Sequence, residues 1–152
     1  MTRFSIQHHY AALQPLIALT EGIQAAGRLE PALAELVLMR VSQINGCAFC
    51  LDMHSKDARA AGETEQRLHL LPAWRETRLY SARERAALAW AEALTTLGSA
   101  DAVPDALYAE VRGQFEEAAL VDLTLVVVAI NGFNRLNIAA RTVGGSYKPA
   151  AH

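Results

Sequence analysis

The sequence has only two cysteines among 152 residues, which excludes the disulfide frameworks of small secreted proteins, since these carry four or more spaced cysteines. Basic residues are not in excess: 14 Lys and Arg stand against 16 Asp and Glu, giving a formal net charge of −2. A nucleic-acid-binding domain needs a basic surplus, so this class is also excluded. Apolar residues make up 52 % of the chain, too many for intrinsic disorder.

Targeting and membrane signals are also missing. Residues 1–10 include Arg3 and His8 instead of an apolar signal core. The most apolar run, 118–130, contains Asp122 and is shorter than the roughly 20 residues that span a bilayer. We therefore expect a cytoplasmic protein without a membrane segment, in which cysteines are held reduced and serve redox or metal chemistry.

Helical signals dominate the rest of the chain, because proline is scarce and apolar residues recur mostly at spacings of three and four. Pro31 suits the first turn of one helix, which Asn45-Gly46 should end. Ser81 and Glu84 form a capping-box pattern at the start of another. The Val-rich stretch 123–130 also fits a buried strand, but no second strand exists to pair with it, so we predict a helix.

The predicted fold is all-α: a single-domain bundle of about six helices spanning residues 1–152, with no linker long enough to divide it. An apolar stripe begins near Leu13. The other helices are expected at about 31–45, 47–61, 81–98, 105–114 and 116–143, and a short segment at 63–71 is expected to end before Pro72.

Two cysteines and a histidine share one face of a predicted helix. Cys47, Cys50 and His54 are three and four residues apart, the spacing of neighbours on a helix surface. Cys47 follows Gly46 at the helix start, where free N–H groups and the helix dipole favour a thiolate. His54 lies one turn beyond Cys50 and can take its proton, since an imidazole titrates near neutral pH.

A glutamate on the preceding helix is expected to reach the same site. Glu35 is eleven residues before Gly46 and His54 eight after it, so in an antiparallel hairpin they lie about 16 Å and about 12 Å from the turn. Glu35 also has apolar neighbours, Leu36 and Val37, and a lone carboxylate there is costly unless paired. We therefore predict a Glu35–His54 hydrogen bond that orients the imidazole.

Residues 40–54 resemble the core motif of the alkylhydroperoxidase D-like, carboxymuconolactone decarboxylase superfamily. The motif of that superfamily is a Glu, a CxxC pair that begins twelve positions later, and a His four positions after the second Cys. Glu35, Cys47, Cys50 and His54 fit every spacing.

The similarity extends well beyond the motif. It continues through 81–95 and 131–137 and covers roughly residues 15–145. It implies an all-helical fold that assembles as a homo-oligomer, commonly a trimer or hexamer.

The resemblance also implies a thiol peroxidase. The second cysteine, here Cys50, attacks the peroxide and becomes a sulfenic acid, and the first, Cys47, resolves it to a disulfide. A dithiol donor such as a lipoyl or thioredoxin-like protein then reduces the disulfide, while His54 and Glu35 form the proton relay. The helix dipole alone favours Cys47 as the nucleophile, so the residues by themselves leave the order of the two cysteines open.

One position departs from the type enzyme of this superfamily. Alkylhydroperoxidase D has a His directly before its second Cys, where this chain has Phe49. A proton-transfer partner is therefore missing, and the chain resembles the peroxidase-related branch more than the type enzyme. The decarboxylase branch fits less well, since it does not depend on a CxxC pair.

Three other interpretations of the cysteine pair stay open. It can exchange disulfides without meeting peroxide, or belong to a redox- or zinc-responsive interaction module. Cys47, Cys50, His54 and Glu35 are all zinc-ligand types, although three ligands on one helical face give poor tetrahedral geometry. The pair can also be two buried structural cysteines. No phosphate-binding loop or dinucleotide fingerprint occurs, so we expect no cofactor, and we expect no metal.

Other polar residues are assigned structural roles. Ser42 has no base placed beside it and is expected to pack between helices, and Arg40 is expected either to pair with a carboxylate or to shape an interface. The remaining histidines follow no pattern and are expected at the surface: His8, His9, His69 and His152.

A short internal repeat relates the two halves of the chain. Gln43-Ile44-Asn45-Gly46 recurs as Ala129-Ile130-Asn131-Gly132, 86 positions later. Two related helical hairpins would produce it, and so would chance similarity between two apolar helices.

Overall fold

The computed structural model describes residues 1–149 and is built from helices, with no strand in that range. The all-α prediction is therefore confirmed, with seven α-helices instead of about six. They are α1 Tyr10–Ala26, α2 Pro31–Asn45, α3 Ala48–Ala60, α4 Glu65–Leu70, α5 Ala82–Thr95, α6 Asp105–Arg112 and α7 Glu117–Ala140. Two 3₁₀ segments, Gln7–His9 and Leu71–Glu76, precede α1 and follow α4.

A tight turn joins α2 to α3 and forms the hairpin expected from the sequence. Pro31 occupies the first turn of α2, where a missing N–H costs nothing. Gly46 ends α2 in the left-handed conformation, with φ of 70°, which glycine adopts without steric cost. The N–H of Cys47 donates to the carbonyl of Ser42 at 3.1 Å. Helix α3 therefore starts immediately after α2 ends.

Helix α2 lies at the centre of the molecule and separates two apolar clusters. Its Val37 and Val41 pack into the larger cluster, with side chains of α5, α6 and α7. Its Leu36 and Met39 pack into the smaller cluster, with α3, α4, the 71–76 segment and Leu88 of α5. Each such buried side chain contributes roughly 1.5–3 kcal/mol. Burial on both sides fixes the position of α2, and with it the position of Glu35.

Helix α7 is the longest element and includes the Val-rich stretch 123–130, which is helical as predicted. By length and composition it is able to cross a membrane, but half of its most apolar window is buried inside the fold. It packs mainly on α2, with further contacts to α1 and α5. This is the pattern of a central helix in a bundle.

The end of α7 differs from the predicted one. The helix stops at Ala140, and Arg141 takes the left-handed conformation with φ of 54°. The expected stop, Gly144-Gly145, lies beyond the helix in a segment that returns to α3. The N–H groups of Arg141 and Thr142 donate to the carbonyls of Ile138 and Asn137, and these bonds cap the helix ahead of the glycine pair.

A second difference concerns the segment 63–71, which was expected to end before Pro72. Helix α4 covers Glu65–Leu70 and continues directly into the 3₁₀ segment Leu71–Glu76. Pro72 lies in the first turn of this segment, where it needs no hydrogen-bonded N–H. The proline therefore starts a new helical turn there.

The capping box predicted for α5 is present. The hydroxyl of Ser81 accepts a hydrogen bond from the N–H of Glu84, and the carboxylate of Glu84 accepts one from the N–H of Ser81. Glu84 also pairs with Arg67 of α4. The box therefore links α5 to α4 in addition to starting the helix.

Candidate redox site

Cys47 and Cys50 are joined by a disulfide, with their Cα atoms 5.3 Å apart. Cys47 is the N-cap of α3, and its Sγ accepts a hydrogen bond from the N–H of Cys50 at 3.3 Å. Each cysteine is only 1 % exposed. The pairing implied by the family resemblance is confirmed, and both sulfurs are buried at the start of the helix.

His54 and Glu35 are in contact beside this disulfide-bearing turn. The Nδ1 atom of His54 lies 3.1 Å from Oε2 of Glu35, and His54 is 7 % exposed. A carboxylate can only accept a hydrogen bond, so Nδ1–H donates, and in the neutral imidazole Nε2 then carries the lone pair. The contact expected from the hairpin is present, and its geometry suits a base held in one tautomer.

Glu35 also borders open space. It lines a cavity of about 300 Å³ between α1 and α2, whose walls are mostly apolar side chains such as Ile23, Leu29, Leu38 and Val126. On its other side it lines a cleft of about 330 Å³ bordered by charged residues of α4 and α5. Its side chain is 23 % exposed. The carboxylate therefore connects the buried imidazole with space that a small molecule can enter.

Phe49 occupies the position where the type enzyme has a second histidine. It is half-buried and lies directly before Cys50 in the first turn of α3. A phenyl ring neither donates nor accepts a proton, so His54 is the titratable side chain within the span 47–54 that is placed for proton transfer.

The cysteine turn is attached to α7 by a network of side-chain amides around the buried Asn134. Asn45 donates from Nδ2 to Oδ1 of Asn131 and to Oδ1 of Asn134, at 2.9 Å each. Asn134 is fully buried and donates to the hydroxyl of Ser42 at 3.1 Å. The two asparagines of the internal repeat, Asn45 and Asn131, thus contact each other directly. The sequence showed the repeat but did not predict the contact.

A segment after α7 is the part of the site's surroundings that the sequence did not reveal. Asp52 of α3 accepts hydrogen bonds from the N–H groups of Gly145 and Tyr147. Lys56 pairs with Asp52 at 2.6 Å. Its hydrogen bond, together with those two N–H groups, holds the pKa of Asp52 below the ordinary value of 3.8. Asp52 stands inside the span 40–54, but its backbone partners Gly145 and Tyr147 lie 93 and 95 positions away, and no sequence signal connects them to it.

The structural roles predicted for other polar residues are confirmed where the structure describes them. Ser42 is buried and bonded to Asn134, and Arg40 pairs with Glu92 at 2.6 Å. Three histidines are exposed, as expected: His8, His9 and His69. His152 lies outside the described residues.

The four candidate ligands of a zinc site do not form a metal cluster. Within residues 1–149 no group of three or more His, Cys, Asp or Glu side chains is arranged to hold a metal ion. Cys47 and Cys50 are bonded to each other, and a sulfur in a disulfide is not the thiolate that zinc requires.

The fold and the site together define an all-helical protein with a disulfide at the start of a helix. A model of the carboxymuconolactone decarboxylase family matches residues 10–93, more than half of the chain. The matched range contains Glu35, Cys47, Cys50 and His54. The chain belongs to the carboxymuconolactone decarboxylase family.

Known relatives are similar over most of the chain. The uncharacterized protein YdfG of Bacillus subtilis strain 168 is 52 % identical over 105 residues, 69 % of this chain and 71 % of YdfG. The crystal structure of ATU0492 from Agrobacterium tumefaciens has a TM-score of 0.88 at 34 % identity, covering 97 % of this chain and 100 % of that one. ATU0492 is described as a protein of unknown function and a candidate antioxidant defence protein AhpD.

The same fold also occurs in a protein with a different activity. The debrominase Bmp8 in its apo form has a TM-score of 0.81 at 20 % identity, covering 93 % of this chain and 75 % of Bmp8. At that identity the likeness concerns the fold alone, and a fold does not determine a reaction.

Proposed function

We propose that this protein is a thiol-dependent peroxidase of the cytoplasm that reduces a small peroxide through a Cys47–Cys50 disulfide cycle. The observation that carries the proposal is the disulfide at the start of α3 together with the Glu35–His54 hydrogen bond beside it. Similarity to ATU0492, a candidate AhpD, supports the same function.

The first step is the oxidation of Cys50 in the reduced protein. His54 takes the proton of the Cys50 thiol at Nε2, while Glu35 stabilises the resulting imidazolium through Nδ1–H. The Cys50 thiolate attacks the terminal oxygen of ROOH, the O–O bond breaks, and Cys50 becomes a sulfenic acid. The leaving RO⁻ takes the proton from His54 and departs as ROH. The sulfur supplies the two electrons that the peroxide gains.

The second step closes the disulfide. The Cys47 thiol attacks the sulfenic sulfur of Cys50, the S–S bond forms, and hydroxide leaves with the thiol proton as water. The Cα atoms are 5.3 Å apart, within the range of about 4.4–6.8 Å in which two cysteines bridge without backbone movement. The N-cap position of Cys47 favours its thiolate form.

A dithiol donor completes the cycle. One donor thiolate attacks the protein disulfide, and the second closes the donor's own disulfide, so that two protein thiols are regenerated and the donor is oxidised. A lipoyl protein or a thioredoxin-like protein has this chemistry. The cycle needs no metal and no cofactor.

We propose further that the protein acts as a homo-oligomer, a trimer or hexamer. Leu97, just after α5, and Val121 and Val128 of α7 are each more than half exposed. Apolar side chains gathered on one face are typical of subunit contacts. Light scattering at micromolar concentration should give a multiple of the subunit mass, and a monomer would contradict this proposal.

A second candidate function is dithiol–disulfide exchange without peroxide, which Phe49 favours because it removes a proton-transfer group. One experiment separates the two functions. The reduced protein is mixed with cumene hydroperoxide in a stopped-flow instrument, and the oxidised protein is mixed with dihydrolipoamide.

The peroxidase should consume one equivalent of hydroperoxide per subunit and lose both thiols. Rapid reduction by dihydrolipoamide, with thiols that survive the hydroperoxide, would identify the exchange enzyme instead. Stoichiometric zinc in protein purified without chelator would contradict both functions and identify a zinc-dependent module.

A further inference from the structure

Residues 144–147, which we call the strap, cross the outside of α3 beside the CxxC turn. The carboxylate of Asp52 anchors the strap: its Oδ2 accepts hydrogen bonds from the N–H groups of Gly145 at 2.7 Å and Tyr147 at 3.1 Å. Lys56 pairs with the other oxygen of Asp52 and donates to the carbonyl of Tyr147 at 2.8 Å. One charged pair of α3 therefore holds the strap at three backbone groups.

The side chain of Tyr147 forms the fourth attachment. Its hydroxyl lies 2.9 Å and 3.0 Å from the two carboxylate oxygens of Asp57, one turn beyond His54 on the same helix. Burial raises the pKa of the Tyr147 hydroxyl, and the charges of Asp57 and Glu35 add to the effect. The hydroxyl therefore stays protonated and donates to Asp57.

Gly144 brings the strap into contact with the backbone between the two cysteines. A Cβ atom on Gly144 would lie 2.7 Å from the carbonyl oxygen of Ala48 and 3.2 Å from the nitrogen of Phe49. Gly144 is not among the glycines with positive φ, so its own backbone conformation suits other residues. Glycine is needed here because the strap approaches the Ala48-Phe49 peptide so closely.

We propose that the strap determines which reductants reach the disulfide, with Asp52 and Gly144 as its specificity-determining residues. A thiolate must reach a sulfur to open a disulfide, yet both sulfurs are 1 % exposed. Gly144 of the strap lies against the Ala48–Phe49 peptide between the two cysteines, and we expect free thiols to reach the sulfurs faster when the strap opens. The inference rests on the proposed function for the role of the reductant.

Two full-length variants are designed to release the strap from α3 in different ways. Asp52→Ala removes the anchor, and Gly144→Ala forces a methyl group against the carbonyl of Ala48. Glu65→Gln is the control, since it breaks the exposed Arg59–Glu65 ion pair near the other end of α3 and leaves the strap intact. Oxidised protein is mixed with dithiothreitol, and free thiols are alkylated and counted by mass spectrometry over time.

Both variants should be reduced about tenfold faster than wild type. Losing hydrogen bonds to a charged group shifts the equilibrium between the closed and the open strap by about this factor. The control should keep the wild-type rate. The reduction potential, measured in dithiothreitol buffers, should stay unchanged. The strap changes how fast a thiol reaches the disulfide but does not change the stability of the disulfide. Circular dichroism verifies that each variant is folded.

Three results would overturn the inference: wild-type rates in both variants, equal acceleration in the control, or a potential that shifts along with the rate. No peroxide enters this experiment. Faster reduction of the variants therefore supports the strap even if the hydroperoxide test fails, and an inert strap leaves the peroxidase proposal intact.

Discussion

The Nδ1 atom of His54 lies 3.1 Å from Oε2 of Glu35, across two helices and 19 positions of sequence. Helix α2 is held between two apolar clusters, and the left-handed Gly46 turns the chain back so that α3 runs beside it. The carboxylate orients the imidazole, and in the neutral form of the ring it leaves the lone pair on Nε2. The catalytic roles of Glu35, His54, Cys47 and Cys50 stay predictions, for which this contact provides a physical basis.

The order in which the cysteines react is the first prediction. In Cys47→Ser, Cys50 should still consume hydroperoxide and remain as a sulfenic acid that dimedone traps, because no resolving thiol is present. In Cys50→Ser, consumption of hydroperoxide should fall to the rate of an ordinary thiol. Stopped-flow kinetics and intact mass spectrometry measure both outcomes. If instead Cys50→Ser reacts at the parent rate, Cys47 is the nucleophile, as the helix dipole alone suggests.

The charge on Glu35 should matter for the oxidation rate. Glu35→Gln keeps an oxygen that accepts from Nδ1–H but cannot stabilise an imidazolium, so the rate of Cys50 oxidation should fall about 10- to 100-fold. The matched control is Glu30→Gln, which removes the Arg83 ion pair at the start of the same helix. Equal rates for both variants would show that Glu35 has no part in the proton relay.

The amide network around Asn134 should contribute to stability. Asn134→Ala removes an amide that donates to the Ser42 hydroxyl and accepts one hydrogen bond from Asn45. The free energy of unfolding should therefore fall by about 2–3 kcal/mol. Asn137→Ala is the control, because that side chain bonds only to the carbonyl of Phe133 within its own helix. Urea unfolding measures both variants. Similar losses in the two variants would contradict a special role for the network.

Glu92 should make stability depend on pH. Burial would raise its pKa, but the hydrogen bonds from Trp74, Arg75 and Arg40 outweigh burial and hold the pKa below the ordinary value of 4.5. A carboxylate with a lowered pKa stabilises the fold fully above its ordinary pKa and loses this contribution as pH falls through the folded value.

The matching substitution is Glu92→Gln, which should cost about 1–3 kcal/mol at pH 7, since it leaves the charge of Arg40 unpaired. The difference from wild type should shrink as pH falls below 4.5, the ordinary value for this carboxyl. Urea unfolding over that range measures it, with exposed Glu110→Gln as control. A difference that stays constant with pH would show that the charge of Glu92 is not what stabilises the network.

Local signals predicted much of this molecule. Pro31 and Gly46 bound α2, the Ser81–Glu84 box starts α5, and the spacing of Cys47, Cys50 and His54 placed them on one helical face. Each of these depends on backbone geometry within a few residues, which the residue types themselves constrain. Glu35 followed from the hairpin, because only one tight turn separates it from His54.

Other features depended on where distant segments meet. Asp52 contacts Tyr147 across 95 positions, and Asn45 contacts Asn134 across 89.

By itself, the sequence determined the helices, the hairpin and the spacing of the candidate site residues, since these follow from propensity, capping and residue order. Only the tertiary structure decided how deeply the disulfide is buried and which distant segment lies against its turn. Those properties come from packing between elements far apart in the chain, where a carboxylate such as Asp52 has many possible partners until the fold selects one.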